Sequence, residues 1–202
     1  DVDGDGHFDL LLGGANGIVQ VINAEGELMW TYSGRGRVNE VTCQLVNGEP
    51  VVFIATEDWF VYVIDSQGNE LWRVLIPNDS ARRESKGNLL GVTNVKVAHI
   101  NGQDEDPWIM VGTQFRYIYG YNLSGQKVYE DIGYWYGIED TAFLDLNGDG
   151  KDEGVIALEY YYYNILALSF RGRDSKWLKV LTVGAEATEQ WLYTEPSKTG
   201  CT

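Results

Sequence analysis

The sequence predicts an all-β fold, a β-propeller of four-stranded antiparallel blades, and three observations carry that prediction. Three segments superimpose without gaps: VNEVTCQLVNG from Val38 to Gly48, VTNVKVAHING from Val92 to Gly102, and IEDTAFLDLNG from Ile138 to Gly148. Each is followed by short runs rich in β-branched and aromatic residues, divided by glycine turns, which is the composition of strands. The unit recurs every ~40–50 residues, the period of a propeller blade, whereas a two-sheet sandwich has no need of matching Asn-Gly turns at near-constant spacing.

The elements follow in order. The chain opens in the phase of the repeat, with Asp3-Gly4 where the other copies have Asn-Gly. Second strands are expected at Leu10–Leu12, Val51–Ala55, Trp108–Val111 and Val155–Leu158, and third strands at Ile18–Ile22, Phe60–Ile64, Tyr117–Tyr121 and Ile165–Leu168. A turn at Gly26, Gly68, Gly125 or Gly172 then leads to a fourth strand with an aromatic anchor, Trp30, Trp72, Tyr129 or Trp177, read as packing between blades. No stretch has the 3.6-residue apolar period of a helix of note. The blades span 1–35 (lacking its opening strand), 36–88, 89–134 and 135–183, and residues 184–194 supply an extra first strand. That strand either completes the first blade and closes a four-bladed ring, or marks the chain as a slice of a larger ring; the second reading is preferred. The start at Asp1, with no methionine or signal segment, reads as a processed or excised piece. A slice leaves open sheet edges that invite association.

Composition narrows the function. In 202 residues, 15 Lys+Arg face 30 Asp+Glu, a net charge of −15. That excludes a nucleic-acid partner, which demands a clustered positive surface, and suits cation binding. Cys43 and Cys201 form no disulfide scaffold and no CxxC pair for zinc. No apolar run approaches the ~18 residues of a membrane span, so this segment inserts in no membrane as a helix.

Two loops share the pattern D-x-[DN]-G-D-G-x-x-[DE]: Asp1, Asp3, Asp5, His7 and Asp9 in one, Asp145, Asn147, Asp149, Lys151 and Glu153 in the other. Calcium takes six to eight oxygens, and carboxylates at alternate positions converge where glycine lets the backbone curl. His7 and Lys151 offer carbonyls; the other positions offer side chains. Without a cation such carboxylates repel one another. Position twelve, Leu12 or Ile156, lies in a predicted strand, so neither loop is an EF-hand. The middle copies have lost the ligands: Leu45, Asn47 and Glu49 stand in one, His99, Asn101, Gln103 and Pro107 in the other. Two calcium sites are expected.

With these loops in view, the repeat resembles the FG-GAP/VCBS repeats of the integrin α N-terminal propeller and of many bacterial secreted proteins. The resemblance covers essentially the whole chain and rests on D-x-D-G-D-G-x-x-D followed by Leu10-Leu-Leu-Gly-Gly14. The Phe-Gly and Gly-Ala-Pro motifs are eroded, Gly13-Gly-Ala15 standing for the latter. The resemblance implies calcium between first and second strands, away from the usual binding face, and an extracellular setting. A weaker similarity, in Asp65-Ser-Gln-Gly68-Asn-Glu-Leu-Trp72, is to quinoprotein-like propellers, but their Thr-Gly pair is missing.

Turns on the opposite end of the blades collect Trp59, Arg82, Arg83, Arg116, Tyr134, Trp135, Tyr136 and Tyr161. Exposed aromatic platforms beside polar groups suit a sugar ring or a protein hot spot, so a glycan or protein ligand is expected there. Nothing assembles a catalytic site: there is no G-x-S-x-G elbow, Cys43 lies in a predicted inner strand, and His7 and His99 have no visible acid partner. The reading is therefore a non-catalytic extracellular binding or adhesion module. The alternatives are part of a polysaccharide-degrading enzyme, given the similarity of the repeats to those of some rhamnogalacturonan lyases, and a purely structural propeller of a larger surface protein.

Overall fold

The computed structural model describes residues 1–77, 91–114, 117–131, 137–145, 148–160, 165–172, 175–182 and 188–190. They form four antiparallel sheets in chain order. The first holds β1 (Leu10–Gly13), β2 (Ile18–Ile22) and β3 (Leu28–Ser33). The second holds β4 (Val38–Val46), β5 (Glu49–Thr56), β6 (Phe60–Asp65) and β7 (Glu70–Leu75). The third holds β8 (Val92–Ala98), β9 (Trp108–Thr113), β10 (Ile118–Tyr121) and β11 (Lys127–Asp131). The fourth holds β12 (Gly137–Leu144), β13 (Glu153–Tyr160), β14 (Ile165–Gly172), β15 (Ser175–Thr182) and β16 (Thr188–Gln190). In every sheet sequential strands are neighbours. This is the β-propeller blade, a four-stranded meander repeated along the chain. Part of the segment expected as an extra first strand forms β16, paired antiparallel with β15 through Thr182↔Thr188 as the fifth strand of the last sheet.

The equivalence of the sheets extends to their irregularities. The opening strand slips register between Val38 and Glu40 in the second sheet and between Ile138 and Asp140 in the fourth. The third-to-fourth pairing slips between Val21 and Ile22, between Val63 and Ile64, and between Gly120 and Tyr121. A defect repeated at one structural position belongs to the blade design, since a bulge sharpens twist locally. The turn between second and third strands is likewise built twice in one way. The Thr56 hydroxyl donates to the Phe60 carbonyl and accepts from the Phe60 N–H, and Thr113 does the same with Tyr117.

The chain divides into two compact units, residues 1–95 with 124–126, and residues 96–123 with 127–202. In the first, Val19 and Val21 pack with Val52, Ile54, Tyr62 and Ile64, with Val2 buried among them. In the second, Ala98, Met110 and Ile118 pack with Ile138 and Ile156. The middle strands are covered on both faces: Val51 to Thr56 and Val61 to Ile64 are buried at every position. That double burial explains why their sequences are continuous apolar runs without polar alternation.

Successive sheets are pinned by the aromatic anchors. A Cβ on Gly68 would lie 2.9 Å from Trp30 Cγ, and Trp30 Nε1 donates to the Ser66 carbonyl at 3.0 Å. One sheet on, a Cβ on Gly125 would lie 3.1 Å from Trp72 Cδ2. Both glycines are left-handed, φ +87° and +77°, so conformation and clearance each exclude a side chain. Gly68→Ala is expected to cost more than the ~1 kcal/mol of left-handed strain alone. Gly48→Ala supplies the strain-only reference, because Gly48 has φ +84° and nothing within 4 Å of its Cβ. Urea denaturation of both variants compares the two; equal losses would mean that the indole makes no demand on Gly68.

Burial pushes the Tyr62 phenol above its ordinary value of 10.0, and burial together with the Glu130 charge pushes Tyr121 up to about 12. The folded state thus holds these phenols neutral where the unfolded chain ionises them. Their contribution to stability is complete below pH ~10 and is lost as the pH rises from there towards ~12. Alkaline titration is expected to show tyrosinate absorbance and loss of β-sheet dichroism rising together; tyrosinate appearing well ahead of unfolding would contradict this.

Candidate metal centre

The first acidic loop runs from Asp1 into β1, and the second joins β12 to β13. Both curl around their first aspartate. The Gly4 and Gly6 N–H groups donate to the two carboxylate oxygens of Asp1 at 2.7 and 3.0 Å. Gly148 and Gly150 do the same to Asp145 at 2.7 and 2.8 Å. His7 N–H donates to Asp5 Oδ1 at 2.8 Å, and Lys151 N–H to Asp149 Oδ1 at 2.9 Å. The glycines sit at φ +79° and +90° in one loop and +79° and +83° in the other, a conformation that side chains disfavour. Two distant segments with one sequence pattern therefore adopt one hydrogen-bonded coil.

In the first loop this coil gathers Asp1, Asp3 and Asp9, each with a carboxylate oxygen within 4.8 Å of the others. Asp5 lies outside that group, with a carboxylate oxygen taken up by the His7 N–H. Asp9 Oδ2 accepts the Val2 N–H at 2.5 Å, whereas Asp9 Oδ1 is buried without a hydrogen-bond partner. An orphaned buried carboxylate oxygen beside two further carboxylates is a donor set suited to a hard cation, and costly without one. The imidazole of His7 is exposed and offers nothing to the group. Among the described residues no second such trio occurs. The equivalent positions in the other loop are Asp145, Asn147 and Glu153, only two of them acidic, and Asn147 lies outside the described residues.

The remaining copies show how the loop is lost. Asn47 and Gly48, at φ +52° and +84°, close β4 onto β5 as a two-residue turn, which leaves no coil to line with ligands. In the third copy the turn is engaged with the fourth sheet. Asp152 accepts the His99 N–H through Oδ2 at 2.7 Å, and the Asp152 N–H donates to the His99 carbonyl at 3.1 Å. Asp152 is buried, and sequence reasoning overlooked it, because one more acid in an acidic loop gave no sign of bracing a neighbouring turn.

The expected ligand face fares differently. Trp59 is 2% exposed, with φ +73° and its carbonyl accepting the Ile76 N–H, so its ring is packed in the interior and is no exposed platform. The position after Asp58 reads as a loop tip in sequence, but the tight turn held by Thr56 folds the indole inward. Arg82, Arg83, Arg116, Tyr134, Trp135, Tyr136 and Tyr161 lie outside the described residues. Cys43 is half-buried, burial pushes its thiol above the ordinary value, and the environment is that of a packing residue.

No family model matches the chain, and no curated protein matches it. Solved structures do. The crystal structure of BBS1N in complex with ARL6DN, soaked with mercury, is similar at a TM-score of 0.60 and 13% identity over 90% of this chain and 52% of that one. The lead-soaked form of the same complex gives 0.55 and 12% over 86% and 53%. The chain thus spans about half the length of these structures. At this identity the likeness concerns the fold, and it agrees with the β-propeller class drawn from the sheets.

Three carboxylates within 4.8 Å of one another are expected to repel. Asp3→Asn keeps an oxygen to accept the Asp5 N–H and removes one charge. In chelator at low ionic strength it is expected to raise the melting temperature by about 2–4 °C, for ~1 kcal/mol of relieved repulsion, and by less in high salt. A lowered melting temperature in chelator would show that repulsion among the carboxylates does not govern the stability of the loop.

Proposed function

We propose that this chain is a calcium-stabilised, non-catalytic propeller module that presents a binding surface to a protein ligand outside the cell. The observation that carries the metal half is the Asp1, Asp3 and Asp9 group with its orphaned Asp9 Oδ1. Calcium supplies charge neutralisation and cross-linking of the loop, not chemistry. Its stabilising effect reaches the core through Val2, whose side chain is buried and whose N–H is held by Asp9. The matching coil around Asp145 supports a second, less charged site completed by Asn147, Asp149 and Glu153, with Lys151 giving a carbonyl there as His7 does in the first. Membership of the FG-GAP/VCBS repeat group and an extracellular setting, where calcium is millimolar, belong to the same reading.

The protein ligand is supported by the solved complex of BBS1N with ARL6DN, in which a chain of similar fold carries a protein partner. Arg82, Arg83, Arg116, Trp135 and Tyr161 are the residues proposed to meet such a ligand.

Calcium titration tests the metal. At a concentration tenfold above its dissociation constant, one site adds about 1.4 kcal/mol to the folded state. A rise in melting temperature with calcium, reversed by chelator and reduced in Asp9→Asn, is expected. No shift, with no bound metal by elemental analysis of the native protein, would remove the proposal. Trp135→Ala is expected to abolish binding to the protein ligand while leaving the calcium response intact. A glycan-array signal lost in that variant would turn the ligand assignment from protein to carbohydrate.

A further inference from the structure

The first sheet has one covered face and one open face. Val19 and Val21 point into the core with the second sheet, whereas Leu10, Leu12, Ile18 and Leu28 are 53%, 42%, 36% and 56% exposed. Register puts them on one side: Leu10 lies opposite Ile22, Ile22 opposite Leu28, and Leu12 opposite Gln20, two residues from Ile18. Single exposed leucines are ordinary on a protein surface, but four large apolar side chains exposed on one sheet face, with Gln20 alone among them, are not.

The repeat states what such a face is for. By register Leu10, Leu12, Gln20 and Ile22 correspond to Val52, Ile54, Tyr62 and Ile64 in the second sheet, with Val52 opposite Ile64 and Ile54 opposite Tyr62. There all four are at most 1% exposed, because the first sheet lies on them. The turn follows the same rule. Gly68 and Gly125 each carry the indole of the preceding sheet's fourth strand, within 3.1 Å of a would-be Cβ. Gly26, built alike with its N–H donating to the Asn23 carbonyl as Gly68 does to Asp65, has nothing within 4 Å. Two independent features, an open apolar face and a bare glycine turn, thus mark the next place in an interface series of which two members are filled.

We propose that this face of the first sheet is a docking surface for one further four-stranded blade of the same repeat. The occupant lays β-branched side chains of its middle strands on Leu10, Leu12 and Ile18. Its outer-strand tryptophan rests on Gly26 and donates its indole N–H to the Ala24 carbonyl, the counterpart of Ser66. The surface is thereby specific for a blade and not for an arbitrary apolar peptide.

The test adds such a blade to the full chain. Residues 36–98 are repeated in front of Asp1, which supplies a second sheet's worth of strands, its Trp72, and an opening strand for the first sheet. The expected result is one cooperative transition, several degrees above that of the unextended chain. The gain is expected to vanish with Trp72→Ala in the added copy alone and with Leu12→Glu plus Ile18→Glu in the first sheet. Those two charges are expected to leave the unextended chain within about 1 °C, since the positions are exposed. Separate melting of the added copy would overturn the proposal. A large loss from the two charges in the unextended chain would also overturn it, by showing the face already covered. Sedimentation of the unextended chain as an oligomer dissolved by the same charges would assign the face to a second copy instead.

Discussion

The contact on which the architecture depends is an indole laid flat on a glycine turn. A sheet of four short strands buries too little on its own, so each must be fixed against the next, and hydrophobic contact alone leaves two flat faces free to slide. Trp30 on Gly68 and Trp72 on Gly125 remove that freedom, because an aromatic ring fits only where a side chain is missing. The hydrogen bond from Trp30 Nε1 to Ser66 adds direction to an otherwise undirected apolar interface.

The acidic loop shows how a polar surface element is joined to this scaffold. Asp9 sits at the entrance to β1, and its carboxylate holds Val2 with one oxygen while turning the other inward. Charge at the loop and packing in the core are therefore one unit. The second loop shares the hydrogen-bonding of its first aspartate but has an amide, Asn147, in the sequence position of Asp3, which lowers its charge.

The fold was legible in the sequence because its strongest determinants are local and periodic. Asn-Gly turns, glycine before an aromatic, and apolar runs of five residues each map to one structural act, and the repeat multiplies the signal. The coil around Asp1 was equally legible, since alternate acids and glycines specify it within nine residues. What escaped was tertiary. Trp59 reads as a loop residue because its neighbours Glu57 and Asp58 are charged, yet the Thr56 turn directs the ring inward. Asp152 reads as one acid among many, yet it braces the His99 turn from another sheet. Both depend on which neighbour comes to lie alongside, and no window of local sequence carries that.

The turn between first and second strands has one further consequence. In the second sheet it is two residues long, closing Val46 onto Glu49, while in the fourth the pairing ends at Leu144 and Glu153, with eight residues, Asp145 among them, between the two. Beyond both corners the strands pair in the same way, down to the slip at the far end, so loop length at this corner is uncoupled from the register of the sheet. The corner is a port in the architecture. Chain can be inserted or deleted there at the small entropic cost of a longer surface loop, leaving the pairing of the two strands in place. Blades of this design can carry or lack an acidic coil one at a time, and the Asn47-Gly48 turn is the natural point at which to graft one.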